Sequence, residues 1–318
     1  MGSLSFLTPA AALVALAGLV PLATFLLRER RARAVRAALG LVEPPQGPGR
    51  ALLGSLVAIP VLTGVAAAQP VLDRSSPREE RTDAELFFVL DTSRSMLAAP
   101  GPDAPTRFDR ARDAALELRA RFPQVRAGVA SVTDRTLPHL FPTIGGLSFR
   151  ATLTRSLGIQ RPPPSSFATV ATDLGGLAAV GRQGFFTPSA RTRVLIVLTD
   201  GETEDVGPGV GTALRRHRVR TLFVHLWRPG ESVYVTSAPE PQYRPDPASR
   251  LKLARVAETV GGTVVPEDDL QGAGDFLRTQ LGRGPTRERR QRDLLALMPW
   301  ATAAAAFPLV LVLRRRNF

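Results

Sequence analysis

Short apolar runs alternate with segments of helical periodicity through the middle of the chain. Six short runs predict strands, and the two aliphatic and β-branched runs at residues 85–90 and 193–198, each bounded by turn residues, are typical of buried parallel strands. The predicted strands are residues 85–90, 126–132, 137–141, 193–198, 220–226 and 263–265. One predicted helix begins at residue 106. The other predicted helices cover residues 172–180, 211–217, 248–260 and 269–281. This alternation predicts an α/β fold with a doubly wound, mostly parallel sheet.

One segment interrupts the alternation. Residues 228–247 are rich in proline and polar residues and follow neither period. Such an excursion is either a tolerated surface insertion or a partner-binding loop, and the sequence leaves both open. A second Pro/Gly loop, at residues 98–105, follows the first predicted strand and is placed to border a site at that strand's end.

Three apolar segments without charged residues lie outside this domain, at residues 4–27, 51–68 and 294–313. About 20 apolar residues cross the hydrocarbon core of a bilayer, and proline is tolerated inside such helices. A cleaved signal peptide is the alternative for the first segment, but its basic residues follow the apolar run instead of preceding it. We therefore expect three transmembrane helices.

The net charge of +13 comes almost entirely from arginine, because Lys252 is the only lysine. Arginines at residues 28–36 and 314–316 flank the apolar segments and indicate the cytoplasmic side. The four arginines within residues 287–292 would then lie outside, against this rule. Few aromatic residues interleave with the basic ones, so we expect no nucleic-acid partner. The chain has no cysteine, which excludes disulfides and a thiol nucleophile.

These observations predict a multi-pass cell-membrane protein that contacts the lipid bilayer. The expected segments are residues 1–27 (first transmembrane helix), 28–50 (cytoplasmic arginine-rich loop), 51–69 (second transmembrane helix), 70–83 (linker), 84–282 (extracytoplasmic α/β domain), 283–293 (linker), 294–313 (third transmembrane helix) and 314–318 (cytoplasmic tail).

Two oxygen-rich strings follow two of the predicted strands. Asp91, Ser93 and Ser95 form a D-x-S-x-S string after residues 85–90, and Asp200 lies in a T-D-G string after residues 193–198. In an open α/β sheet, ligands bind outside the carboxyl ends of the strands. Carboxylate and hydroxyl oxygens are suitable ligands for a hard cation such as Mg²⁺. The two strings therefore predict a shared cation site.

The two strings in this order resemble the metal-ion-dependent adhesion site of von Willebrand factor A (VWA) domains, and the resemblance covers residues 83–281. It implies a Mg²⁺ ion, or Mn²⁺ or Ca²⁺, held by Asp91, Ser93, Ser95, Asp200 and a threonine from an intervening loop. Thr172 begins a T-x-x-G string and is assigned this role, with Thr169 as the competing choice and a helix N-cap as the alternative role for Thr172. In the family one ligand position stays open for an acidic residue of a protein partner.

The whole-chain plan resembles the bacterial Bat (aerotolerance) membrane proteins. That resemblance implies a role in an envelope complex, with other VWA membrane proteins and a MoxR-type AAA+ ATPase as partners. A metal-independent VWA scaffold is one alternative. A metal-dependent hydrolase is another, but neither string contains a histidine to act as a general base, and no G-x-S-x-G or Walker motif is present. We therefore expect binding instead of catalysis.

Overall fold

The computed structural model describes residues 3–41, 49–161, 163, 172–203, 206–235 and 237–316. The chain forms two units, Met1–Pro77 with Arg290–Phe318, and Arg78–Arg289. Its strands and helices in chain order are β1 (Ser3–Phe6), α1 (Leu19–Ala38), α2 (Gly49–Ala67), β2 (Pro70–Arg81), β3 (Ala84–Asp91), α3 (Arg107–Arg121), β4 (Arg126–Val132), β5 (Thr136–Thr143), α4 (Gly146–Ala151), α5 (Ala178–Arg182), β6 (Thr192–Thr199), α6 (Pro208–Arg216), β7 (Val219–His225), β8 (Tyr234–Val235), β9 (Ala238–Pro239), α7 (Ser249–Val260), β10 (Thr263–Pro266), α8 (Leu270–Leu281), β11 (Thr286–Ala296) and α9 (Met298–Arg316).

The second unit is built on a six-stranded sheet in the order β10-β7-β6-β3-β4-β5. Every neighbouring pair is parallel except β4 and β5, which are antiparallel. All eight residues of the central strand β3 are buried. The prediction of an α/β fold with a mostly parallel sheet is confirmed.

Alternate residues of β3 enter two different apolar cores. Leu86, Phe88 and Leu90 pack with residues of α3 and α8 on one face of the sheet. Phe87 and Val89 pack with residues of α5, α6 and α7 on the other face. Helices on both faces make a doubly wound sheet, which explains why its strands are continuous apolar runs.

Helix α3 begins with a capping box. The hydroxyl of Thr106 accepts a hydrogen bond from the backbone N–H of Asp109, and the carboxylate of Asp109 accepts one from the backbone N–H of Thr106. This reciprocal pair satisfies amides that have no partner within the helix. Its consequence is that Arg107, the first residue of α3, lies close to the ends of β3 and β6.

The structure differs from the sequence expectation at three places. Residues 172–180 are not one helix, because Thr172 pairs with Thr203 in a parallel bridge and helical structure begins at Leu174. Strand β5 is antiparallel and lies at the sheet edge, a position that tolerates its prolines. A short helical segment from α4 through the π-turn Thr152–Ser156 was not predicted, since its apolar pattern is too short to show a period.

In the first unit, Pro9–Gly18 forms a 3-10 helix that leads directly into α1. Helix α1 then continues to Ala38 and includes the arginines at residues 28–36, which the sequence placed in a loop. Helix α2 packs against α9 and against the 3-10 helix. A Cβ atom on Gly64 would lie 2.9 Å from the carbonyl oxygen of Ala12, so this approach requires glycine.

Among the described residues, one helical stretch, Pro9–Ala38, is long and apolar enough to cross a membrane. The apolar parts of α2 and α9 are shorter, at Leu53–Ala67 and Met298–Val310. Fifteen helical residues extend only about 22 Å, against about 30 Å of hydrocarbon. Strand β11 removes residues 294–296 from the expected third span, since it runs to Ala296. The structure therefore does not support the prediction of three full-length spans.

Candidate metal centre

The two oxygen-rich loops lie side by side at one edge of the sheet. Strand β3 ends at Asp91 and its parallel neighbour β6 ends at Thr199, with Leu90 opposite Leu198. Asp200 directly follows β6 and, like Asp91, is completely buried. Parallel strands end at the same edge, so adjacent pairing brings together two carboxylates that are 109 residues apart in the sequence.

Asp91 is fixed by hydrogen bonds to both carboxylate oxygens. Its Oδ1 accepts from the backbone N–H of Ser93 at 2.9 Å. Its Oδ2 accepts from the hydroxyl of Thr199 at 2.6 Å and from the hydroxyl of Thr172 at 3.0 Å. Among the described residues, no arginine or lysine forms an ion pair with this carboxylate.

Burial and, after it, the nearby charge of Asp200 raise the pKa of Asp91 to about 7, although the hydrogen bonds from Thr199 and Ser93 act to lower it. The ionised form is therefore costly in the absence of a cation, because a buried charge needs a partner of opposite sign. A cation bound beside Asp91 would supply that partner.

The serine and threonine residues predicted as ligands lie around this carboxylate. The hydroxyls of Ser93 and Ser95 are 3.0 Å apart, where the chain leaves Ser93 in extended conformation and enters the 3-10 turn Arg94–Leu97. The hydroxyl of Thr172 contacts Asp91 directly. Thr203 holds Thr172 in place by donating to its carbonyl oxygen at 2.6 Å. Asp91, Ser93, Ser95 and Thr172 thus belong to one hydrogen-bonded group, and Asp200 lies close enough for its charge to raise the pKa of Asp91.

Thr172 is not a helix N-cap, because its hydroxyl donates to Asp91 and the residue that caps the following turn is Asp173. The competing residue, Thr169, lies outside the described residues, as do the acidic residues Glu204 and Asp205.

Asp200 has an ion-pair partner that the sequence did not indicate. The guanidinium of Arg107 is completely buried and its Nη1 lies 2.9 Å from Asp200 Oδ2. The other oxygen, Oδ1, accepts from the backbone N–H of Glu202 at 3.0 Å. An arginine in the first turn of an amphipathic helix ordinarily lies in solvent, and no local pattern distinguishes Arg107 from the other arginines of α3. Only the fold shows that it neutralises Asp200.

Gly201 is required by the sharp turn that follows Asp200. Its φ is +73°, a conformation that favours glycine. A Cβ atom here would lie 2.8 Å from the carbonyl oxygen of Ser249. The glycine of the T-D-G string therefore lets the acidic loop pass close to the start of α7.

One buried histidine lies near the site, but it faces the backbone. His225 Nε2 lies 3.0 Å from the carbonyl oxygen of Asp200 and 3.1 Å from the hydroxyl of Ser249. Burial lowers the pKa of His225, which favours the neutral ring. The ring bridges the acidic loop and α7, so it is occupied in holding that loop.

The donor set suits a hard divalent cation. The candidate site contains two buried carboxylates and three hydroxyls, and oxygen donors of both kinds bind Mg²⁺, Mn²⁺ and Ca²⁺. Within the described part of the chain, no group of three or more histidine or acidic side chains is arranged to hold a metal ion. The hydroxyls would therefore have to supply much of the coordination. Arg107 already compensates Asp200, whereas Asp91 has no cationic partner among the residues that the structure describes.

Comparisons with known proteins support the fold. Residues 86–202 match the family described as von Willebrand factor type A domain, and this segment contains all five predicted ligands. No curated protein shows significant sequence similarity to the chain. The fold is similar to that of two solved bacterial proteins. One is an aerotolerance-related membrane protein from Bacteroides fragilis, with 16% identity, a TM-score of 0.50 and coverage of 62% of this chain and 98% of the other. The second is the conserved hypothetical protein BatB from Bacteroides thetaiotaomicron, with 18% identity, a TM-score of 0.51 and the same coverage.

Proposed function

We propose, from the von Willebrand factor type A domain that this chain contains, that it binds a divalent cation at its two acidic loops and mediates metal-dependent protein–protein interaction. One observation carries the proposal. Asp91 is completely buried beside Asp200 and three hydroxyls, and it has no arginine or lysine partner among the described residues. A buried carboxylate of this kind is stabilised by a bound cation.

Asp91, Ser93, Ser95, Thr172 and Asp200 are the residues that would hold the cation. When bound, the ion supplies a positive charge that attracts carboxylate. Ser93, Ser95 and Thr172 contribute neutral oxygens, so they would leave most of that charge uncompensated. An acidic side chain of a partner protein is therefore the ligand that fits best. Binding is favoured over hydrolysis, since the nearest buried histidine, His225, is engaged with the backbone of Asp200.

Saturating Mg²⁺ is expected to stabilise the full-length protein in detergent. At a Mg²⁺ concentration about a hundredfold above Kd, linkage predicts about 2.7 kcal/mol of added stability. Ser93→Ala should reduce this gain, because it removes one candidate ligand without changing the charge. The measurement is chemical unfolding with Mg²⁺ and with chelator, together with calorimetric titration of the metal.

Ser148→Ala is the matched control, since Ser148 is an exposed serine on α4 away from the acidic loops. It should respond to Mg²⁺ as the wild type does. No heat of binding and no stability change in the wild type, with Mg²⁺, Mn²⁺ or Ca²⁺, would instead support the metal-independent scaffold.

The first unit is proposed to be a membrane anchor. Its longest apolar helix is continuous with the arginines at residues 28–36, and close packing at Gly64 is typical of helices associated within a bilayer. In this proposal α2 and α9 accompany α1 in the membrane and the VWA domain is extracytoplasmic. The arginine-rich segment would then be accessible to a cytoplasmic partner, such as a MoxR-type AAA+ ATPase, and the VWA domain to other VWA proteins of the envelope.

Protease added to intact spheroplasts is expected to cleave within the VWA domain. The reason is the arginine distribution, which favours the cytoplasmic side for residues 28–50. The readout is the fragment pattern with and without lysis, detected with antibody against residues 84–282. A cytoplasmic marker protein that stays intact serves as the control. Protection of the domain until lysis would place it on the cytoplasmic side.

A further inference from the structure

A buried cluster of charged side chains lies behind the candidate cation site, with Arg107 at its centre. Arg107 Nη1 donates to Asp200 Oδ2, to Glu202 Oε1 at 2.8 Å and to the hydroxyl oxygen of Tyr243 at 3.0 Å. Its Nε donates to Glu231 Oε2 at 2.7 Å. One planar guanidinium thus joins the loop that contains Asp200 and Glu202 to a segment about 30 residues later in the chain. That segment belongs to the excursion at residues 228–247.

Arg107 determines how Asp200 is presented. One oxygen of Asp200 is held by Arg107 and the other by the N–H of Glu202, so the carboxylate plane has little freedom. Groups that hydrogen-bond a metal ligand set its orientation, and their loss commonly weakens metal binding. The same guanidinium also holds the side chain of Glu202.

Arg107 is itself held from the side remote from Asp200. Glu231 is almost completely buried, and its second oxygen accepts from Arg110 Nη2 at 2.6 Å. The hydroxyl of Tyr243 donates to Glu202 Oε1 at 2.9 Å and so lies between Arg107 and the metal loop. These contacts require Glu231 and Tyr243 to be folded against the start of α3.

The same segment is attached to the D-x-S-x-S loop. Arg94, which lies between the two candidate serine ligands, forms a 2.7 Å ion pair with Glu240. The backbone of Ser232 pairs with that of Ala99 in an antiparallel bridge. The segment therefore contacts both loops of the site. These contacts indicate that the segment forms one side of the site and is more than an inserted surface loop.

We propose that Arg107 is a positioning residue for the cation site and that Glu231 and Tyr243 of the excursion hold it in place. Glu231 and Tyr243 fix the guanidinium, and the guanidinium fixes Asp200. The excursion thereby influences cation affinity without contributing a ligand. This inference rests on the proposed function, since it concerns the same cation site.

Arg107→Lys tests the role at constant charge. An ammonium group lacks the planar fork of arginine and cannot donate to Asp200 and Glu231 from two separate edges. We expect Mg²⁺ affinity, measured by calorimetry on the full-length protein in detergent, to fall about tenfold or more. The electron paramagnetic resonance spectrum of bound Mn²⁺ should also change, because the coordination of Asp200 changes. A purely structural role would leave that spectrum unaltered.

Glu231→Gln tests whether a residue that holds Arg107 influences cation affinity. It also provides the deciding measurement if Arg107→Lys does not fold. Glu231 contacts none of the candidate ligands, yet its substitution should weaken Mg²⁺ binding. Arg228→Gln is the control: it removes the ion pair between Glu267 and the half-exposed side chain of Arg228, at the start of the excursion, and should bind Mg²⁺ as the wild type does.

The outcomes separate the two proposals. A wild type that binds no cation overturns the proposed function and this inference with it. A wild type that binds Mg²⁺, with folded Arg107→Lys and Glu231→Gln variants of unchanged affinity, overturns only the positioning role. In that case Arg107 serves the stability of the domain alone.

Discussion

Replacing Arg107 with methionine is expected to lower the free energy of unfolding by about 3–5 kcal/mol, the range found when one partner of a buried ion pair is removed. Methionine fills a comparable volume but removes the cation that pairs with buried Asp200 and leaves Glu231 paired with Arg110. The loss of stability should be largest in chelator, because a bound cation would compensate part of the negative charge that is left unpaired. Urea unfolding of the full-length protein in detergent gives the value.

Arg228→Met is the matched substitution for this experiment. Arg228 also pairs with a carboxylate, that of Glu267, but about half of the Arg228 side chain is exposed. Surface pairs contribute about 0–1 kcal/mol, so little change is expected. Equal effects of the two substitutions would contradict the view that the buried position of Arg107 makes it essential.

Wild-type protein without metal is expected to lose stability as the pH rises from about 4 to about 7, relative to Asp91→Asn. The folded state raises the pKa of Asp91 from 3.8 to about 7, mainly through burial. The folded state then holds a proton that the unfolded state has released, so unfolding becomes more favourable as the pH increases. At about 1.36 kcal/mol per pH unit, this difference amounts to about 4 kcal/mol.

Asp91→Asn should remove this pH dependence, since the amide does not ionise, and it should also abolish the response to Mg²⁺. The measurement is denaturant unfolding in chelator at several pH values for both proteins. In the wild type, Mg²⁺ affinity should rise by about tenfold per pH unit below pH 7, because the metal must displace the proton of Asp91. Parallel stability curves for the two proteins would show that Asp91 does not titrate in this range.

The candidate ligands were predictable because each lies in a short string tied to one strand. Asp91, Ser93, Ser95 and Asp200 follow runs of apolar residues whose burial is evident from composition alone. Thr172 was identified with less local support, and the contact of its hydroxyl with Asp91 arises only where β3 and the residues before α5 meet.

The excursion at residues 228–247 shows the limit of local patterns. Proline and polar residues indicate an irregular segment but not what it contacts. In the fold, Glu231 is buried against Arg107 and Glu240 pairs with Arg94. These pairs join residues separated by 124 and 146 positions, so no periodicity or spacing could have indicated them.

The sequence by itself determined the strands of the sheet and their mostly parallel pairing, because burial on both faces imposes continuous apolar runs. It also determined the strings of candidate oxygen ligands, because sharp turns favour Asp, Ser and Gly. The tertiary structure alone decided the charge balance of the site. Arg107 neutralises Asp200, while no arginine or lysine of the described ranges pairs with Asp91, and this asymmetry depends on how α3 and the excursion pack at the strand ends. The tertiary structure also shortened the last apolar helix of the first unit, because β11 takes residues 294–296, which hydropathy alone assigned to a span. Hydropathy records only local composition, whereas strand pairing and ion pairing depend on residues distant in the chain.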